Sequence, residues 1–343
     1  MFIRRRVPLL LLVGLCIAVA ARSLAARDRH LSWTGVRNLA GVVDLQGPSA
    51  TGSIYLEADG RLEVMSAAGA IRPFAPGYRV PAGPGSYLAL SSGQAVAGSN
   101  CRWPVGDLYA LRPSNGGGIT AITPRGLGST FVVLHPKGLE RGIAFDLTGR
   151  FGHRLLVTAT ASTGRARRTR RATGETTIYA ISCNGSVQVL TQTAPRVDGG
   201  VVVAPRNFGR FGGDLLAPDE YSGALYAIAP DGAASPVTRS GPAQGARIGT
   251  ESLGIVPSSY GRALVADRVT PTNGPPGEDQ ILSVPRAALS AAGAQPGDLL
   301  TVSEAGAQTT VISCTATGCK QRFIGRGPTA AHVEGHLVFS APG

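Results

Sequence analysis

Five short segments spread along the chain repeat one shape, an apolar strand built around Tyr or Leu. They are Ser53-Ile-Tyr-Leu56, Asp107-Leu-Tyr-Ala-Leu111, Thr177-Ile-Tyr-Ala-Ile181, Ala224-Leu-Tyr-Ala-Ile228 and Gln280-Ile-Leu-Ser-Val284. Their tyrosines stand at 55, 109, 179 and 226, in steps of 54, 70 and 47 residues. Several of these strands run into a tight polar turn: Ala58-Asp59-Gly60, Cys183-Asn184-Gly185 and Pro230-Asp231-Gly232. Asn-Gly and Asp-Gly between short apolar runs favour two-residue hairpins, because their central residues accept positive φ.

A second cue, a turn glycine followed by a strand, opens four units. It reads Phe151-Gly-His-Arg-Leu-Leu-Val157, Phe211-Gly-Gly-Asp-Leu-Leu-Ala217, Tyr260-Gly-Arg-Ala-Leu-Val-Ala266 and Glu334-Gly-His-Leu-Val-Phe339. A period of about 40 to 50 residues with loop insertions marks propeller blades of four antiparallel strands. Helical solenoids are excluded, since no 3.6-residue apolar period is sustained. The expected fold is therefore an all-β, six-bladed β-propeller. Its ring would close by pairing the N-terminal copy (Ile54 to Met65) with the C-terminal copy (Ala331 to Ala341), which also covers exposed sheet edges. A sixth unit, from Gly297-Asp-Leu-Leu-Thr-Val302 to Gln321-Arg-Phe-Ile324, lacks a clear innermost strand, so five blades also fit.

The N-terminus reads as a secretory signal, with Arg4, Arg5 and Arg6 before an apolar run from Val7 to Ala21 and a small-residue cleavage site at Ser23-Leu24-Ala25. An uncleaved anchor is the competing reading, but the run is shorter than the roughly 20 residues a membrane span needs. The expected organisation is a signal peptide at 1–25, a linker at 26–50 and the propeller at 51–343, secreted or held at the cell envelope and monomeric. No later segment is apolar enough to cross a membrane as a helix. The net charge of +12 rests on arginine, since Lys137 and Lys320 are the only lysines. Such a protein suits an anionic envelope component, while export argues against nucleic acid. Beyond the signal lie four cysteines, an even number as expected of disulfides in an oxidising compartment. Cys314 with Cys319 closes a short loop, leaving Cys101 with Cys183.

The blade unit, an acid, then Gly with Ile-Ala or Val-Val, a turn, Leu-Leu-Val, a loop and Ile-Tyr-Ala-Ile, resembles the six-bladed propellers of the gluconolactonase, strictosidine-synthase-like and NHL-repeat kind. The resemblance covers most of residues 51 to 341 as a blade pattern, not as a catalytic signature. It implies a metal near the start of the innermost strands, held in that family by Glu with Asn and Asp. Three units here begin Glu140-Arg-Gly-Ile-Ala144, Asp198-Gly-Gly-Val-Val202 and Glu251-Ser-Leu-Gly-Ile255. Glu140, Asp198 and Glu251 would thus converge at one mouth of the channel, an all-oxygen set suited to Ca2+. Arg141, Arg196 and Arg247 lie close enough in sequence to pair with these acids instead. Glu334 is expected at the opposite end of its strand.

Loops between second and third strands should open on the same face. They carry the arginine run with Arg165, Arg167 and Arg168, the segment Asp219, Glu220 and Tyr221, the strand end at Asp267, and the Pro-rich stretch Pro271 to Pro276. His332, Glu334 and His336 alternate, so an unbroken strand would place them on one face as a transition-metal set, unless Gly335 turns the chain. There is no G-x-S-x-G elbow, H-E-x-x-H helix, phosphate-binding glycine loop or C-x-x-C. The expected function is an exported propeller that binds a small molecule or cell-envelope component at its loop-lined face, with a cation at the channel mouth. The alternative is a metal-dependent hydrolase or lactonase using the same site.

Overall fold

A computed structural model describes residues 31–80, 86–112, 117–135, 139–161, 174–239, 249–270 and 274–343. The leader and the arginine run with Arg165, Arg167 and Arg168 lie outside the described residues. The chain opens with β1 (Leu31–Ser32) and β2 (Thr34–Asn38). Blade 1 follows as β3 (Val42–Gln46), β4 (Ile54–Ala58), β5 (Arg61–Met65) and β6 (Ile71–Phe74). Blade 2 is β7 (Leu88–Leu90), β8 (Leu108–Leu111), β9 (Gly118–Ile122) and β10 (Gly128–Val133), and blade 3 is β11 (Leu139–Phe145), β12 (Leu155–Thr160), β13 (Thr176–Ile181) and β14 (Val187–Ala194). Blade 4 is β15 (Val202–Val203), β16 (Leu215–Asp219), β17 (Ala224–Ile228) and β18 (Ala234–Arg239).

The last two blades interleave. Their strands are β19 (Thr250–Ile255), β20 (Arg262–Asp267), β21 (Gln280–Pro285), β22 (Leu299–Ser303), β23 (Thr309–Thr315), β24 (Gly318–Arg326) and β25 (Val333–Phe339). Blade 5 is β19-β22-β23-β24 with β1 added in parallel at its outer edge, and blade 6 is β25-β20-β21-β2. With six sheets of this order, the molecule is a six-bladed β-propeller. Each blade is an apolar slab: Leu155, Leu156 and Val157 on β12 and Leu215, Leu216 and Ala217 on β16 are fully buried. Alternate residues of these strands fill the spaces between neighbouring blades on either side.

Several expectations change in detail. Residues 31–46 are strands of the ring, not a linker, so the propeller begins upstream of residue 51. The N- and C-terminal strands do share one blade, but the N-terminal partner is β2, as outermost strand against the innermost β25. Ile54 to Met65 instead belong to a complete blade of their own. Glu251 and its strand pair with β22 rather than with β20, and so supply the innermost strand that the sixth unit lacked. The exchange occurs at Val256, whose N–H donates to Asp298 O while Gly297 N–H donates to Val256 O, and the six-residue link to Arg262 then crosses to blade 6. The short helix α1 (Arg286–Ala291) precedes the return to blade 5.

Both disulfides form as expected. Cys101–Cys183 joins the β7–β8 loop to the β13–β14 turn, and Cys314–Cys319 closes the β23–β24 hairpin.

Candidate functional site

Innermost strands start at one mouth of the channel, and several are bulged there. Ladder register shifts between Val42 and Asp44 in β3, between Glu140 and Gly142 in β11 and between Thr250 and Ser252 in β19. A bulge adds one unpaired residue and re-aims the side chains around it. Counting from the ladder, Arg141 of blade 3 stands where Glu251 stands in blade 5, and Glu140 stands where Thr250 does. A one-residue offset exchanges the faces of a strand. Glu140 therefore turns toward blade 2, where its Oε1 accepts the Gly118 N–H at 2.6 Å. Burial raises its pKa to about 7 against the pull of that hydrogen bond and of Arg112.

The other two acids do meet, each with a partner. Asp198 receives Arg196 at 2.8 Å and Arg141 Nε at 3.4 Å. Arg196 also serves Asp219 and, at 3.1 Å, Glu220, and lies 3.7 Å over the ring of Tyr221. These loop residues thus lie beside Asp198 and are bound into an ion-pair network. Glu251 accepts a hydrogen bond from the Tyr87 hydroxyl, which also lies 3.3 Å from Glu334 Oε2. Burial, together with the charges of Glu334 and Asp198, drives the Glu251 carboxyl well above the usual range. Among the described residues Glu140, Asp198 and Glu251 do not bring their ligand atoms within 4.8 Å of one another.

A different trio does. Glu304, His332 and Glu334 place one ligand atom each within 4.8 Å of the others. Glu304 directly follows β22, its backbone fixed by N–H donation to Gly249 O and by Val333 N–H donation to its own carbonyl. His332 precedes β25, and its backbone N–H donates to Asp267 Oδ1 at 2.8 Å. Asp267 also accepts from Gln280 Nε2 at 2.9 Å and from Glu278 N–H at 3.3 Å, so it anchors the histidine and does not face the trio's centre through a free oxygen. His332 Nε2 lies 2.9 Å from Glu304 Oε1 and 3.4 Å from Glu334 Oε1. Neither approach has hydrogen-bond alignment, and His332 Nδ1 and Nε2 and Glu304 Oε2 are all buried without a hydrogen-bond partner.

Burial would lower the pKa of His332, but the two carboxylates more than reverse this and hold it at about 9. The position is built to accept positive charge, from a proton or from a metal ion. Burial raises the pKa of Glu304, whereas His332 and Arg268 pull Glu334 below its ordinary value despite burial.

Glu334 is thus at the mouth, not at the far end of its strand. The reason is topological: Val333–Phe339 is the innermost strand of blade 6, and β20 is the second. His336 does not join the trio. Gly335 adopts φ +70°, a conformation open mainly to glycine, and sends His336 to the other wall of the channel. There its Nδ1 lies 3.0 Å from both oxygens of Asp44 and its Nε2 3.0 Å from Ile143 O. Burial opposes charge on this ring, but Asp44 and the Ile143 carbonyl outweigh it and raise its pKa. Asp44 further accepts the Leu88 N–H at 2.7 Å, so this pair ties blades 1, 2, 3 and 6 together across the channel.

Tyr87 and Glu304 escaped the sequence reading. A usable signal existed for Glu304: acids end or follow the second strands of blades 4, 5 and 6, as Asp219-Glu220, Glu304 and Asp267. Tyr87, just before β7, carried no such signal.

No protein-family model matches the chain, and no curated protein matches it. Solved structures similar to it include a catalytically inactive variant of virginiamycin B lyase from Staphylococcus aureus with quinupristin, at 13% identity, covering 84% of this chain and 74% of that one with a TM-score of 0.47. A putative gluconolactonase shows 15% identity, 74% and 92% coverage and a TM-score of 0.35. A calcium-binding regucalcin from Agrobacterium tumefaciens shows 12% identity, 74% and 94% coverage and a TM-score of 0.37.

Proposed function

We propose that this propeller is an exported binding protein that holds a divalent cation at Glu304, His332 and Glu334 and captures a small molecule or cell-envelope component at the same mouth. The observation that carries this reading is the pair Glu304 and His332 within the trio. A buried imidazole and a buried carboxylate with unpartnered atoms face one another without hydrogen bonding, an arrangement costly unless an ion or ligand completes it. Arg141 and Arg268 stand beside these acids, 3.4 Å from Asp198 and 3.9 Å from Glu334, and offer a charged rim for an anionic ligand. The two disulfides support an oxidising compartment. No helix among the described residues is long and apolar enough to cross a membrane.

The donor set moves the choice of ion. One nitrogen with two carboxylates suits Zn2+ or Mn2+ better than Ca2+, which favours oxygen alone. The experiment is metal content of the purified protein together with melting after chelation and re-addition of Zn2+, Mn2+ or Ca2+. An ion bound at about a hundred times its Kd adds about 2.7 kcal/mol, raising Tm by about 5 °C. Wild type should show this rise and His332→Ala and Glu334→Gln should lose it. No bound ion and no rise, or a rise the variants keep, would sink the site.

One observation favours a hydrolase as the second reading. Glu251, its pKa raised by burial and its carboxylate hydrogen-bonded by Tyr87, has that hydroxyl in common with Glu334 of the trio. A cation held there supplies Lewis-acid polarisation of a carbonyl and acidifies bound water. Glu251 would hold the proton a leaving group needs, with Tyr87 orienting it. Asp198, consumed by two arginines, has no part in this reading.

A further inference from the structure

The end of the propeller opposite the acidic mouth has its own character. Three loops there carry the three most exposed large hydrophobic side chains among the described residues: Val105 (69%), Leu127 (64%) and Leu147 (59%). They sit in the β7–β8 loop, the β9–β10 turn and the β11–β12 loop, all of which follow strands running away from the mouth. The tips are held firmly. Buried Asp146 accepts hydrogen bonds from the backbone N–H groups of Thr148, Gly149, Phe151 and His153, which fixes the turn that presents Leu147. Trp103 Nε1 donates to His153 O at 2.8 Å and Ala97 N–H to Gly152 O at 2.9 Å, joining the Val105 loop to the Leu147 loop. Cys101–Cys183 pins the same loop to blade 3.

Charge at this end is lopsided. Arg102, Arg125, Arg150, Arg206 and Arg210 are exposed. Of the acids there, Asp146 is spent on its turn, Asp298 is buried and accepts from Gln295 N–H and the Ser313 hydroxyl, and Asp214 is buried against Arg150 at 3.2 Å, leaving Asp107 and Asp231. Rigid aliphatic tips among arginines match an interfacial membrane contact, in which apolar side chains enter the headgroup boundary and cations meet anionic lipid. An acidic polymer would engage the arginines but gain nothing from the tips. We infer that the loops bearing Val105, Leu127 and Leu147 form a docking surface for an anionic lipid bilayer, with the acid-lined mouth directed away from it.

Sedimentation with phosphatidylglycerol–phosphatidylcholine vesicles tests this, using the chain from residue 26 onward, which contains the whole closed ring. The protein should bind these vesicles, bind pure phosphatidylcholine at least about ten-fold more weakly, and lose at least about ten-fold on raising salt from about 0.1 to about 0.5 M. The combined variant Val105→Ser, Leu127→Ser and Leu147→Ser should melt like wild type and partition at least about ten-fold less. Arg125→Gln with Arg210→Gln should weaken binding and flatten its salt dependence, whereas His332→Ala should bind vesicles like wild type, so this surface and the cation site fail separately. Serine variants that bind like wild type would overturn the inference. So would soluble polyphosphate that strips wild type and serine variant equally, which would mark a polymer site instead.

Discussion

Blade 3 is drawn from one continuous stretch, β11 to β14, whereas blade 5 is assembled from β19, the later β22 to β24 and the parallel β1 from the other end of the chain. Both begin their innermost strand with a bulge and an acid beside it. In blade 3 the bulge gives the channel an arginine, and Glu140 faces the neighbouring blade. In blade 5 it gives the channel Glu251, whose pKa is raised by burial and which accepts a hydrogen bond from Tyr87. The motif is the same to the eye, and a single residue of register decides which charge the mouth receives. Topology adds the second difference: blade 5 brings Glu304, at the end of its second strand, against His332 and Glu334 of blade 6 because the two blades exchange strands.

The comparison is open to test on several scales. The bond Cys101–Cys183 closes 82 residues of sequence and Cys314–Cys319 only 5. In the chain-entropy account, replacing the first pair by serine should cost about 4.5 kcal/mol in urea unfolding and the second about 2 kcal/mol. Equal losses would mean that blade 5 depends on its hairpin bond far more than its topology requires. Next in size is Arg141→Glu, which makes blade 3 copy blade 5. It replaces a cation beside Asp198 with an acid and should cost about 3 kcal/mol at neutral pH, less in acid as the carboxylates protonate. A cost under about 1 kcal/mol would show that Arg141 does not face the acids.

The smallest effect is a pH profile. Glu140 has a folded pKa of about 7, above its ordinary 4.5. Its raised value favours the fold at low pH, and that contribution is lost as pH rises from about 4.5 to about 7. Subtracting the stability of Glu140→Gln from wild type should give a curve that falls across this window and then levels. For Glu251→Gln the curve should fall in the same sense, because burial among other acids raises this carboxyl too. A flat curve for Glu140→Gln would mean that Glu140 is not buried against blade 2.

Much of this ring was legible in the chain because blades repeat a local code. Tyr55, Tyr109, Tyr179 and Tyr226 each mark a blade, the first three of them buried, and Asn184-Gly185 and Asp231-Gly232 mark the hairpins. Partner choice was not legible. Leu264-Val265-Ala266 and Leu299-Leu300-Thr301 are both short buried strands of similar pattern, and nothing local says which will lie against Gly254. The bulges were hidden for the same reason, since they exist only relative to a neighbouring strand. Glu140 is therefore expected in the channel and Glu334 at the opposite end of its strand, each at odds with what pairing dictates. His332 and Glu334 were recognisable as a pair, yet Glu304, the residue that completes the trio, lies 28 positions before His332 and on another blade.

The placement of β1 and β2 has a consequence in time. Of the described strands these two emerge first from any ribosome or export channel, yet their partners β24 and β21 follow only after all of blades 1 to 4. Blades 1 to 4 can assemble as they appear, while β1 and β2 wait for strands near the end of the chain. Completion of the molecule is thus a single late event that joins first to last, and a nascent chain stopped short of β25 leaves blade 6 without its innermost strand.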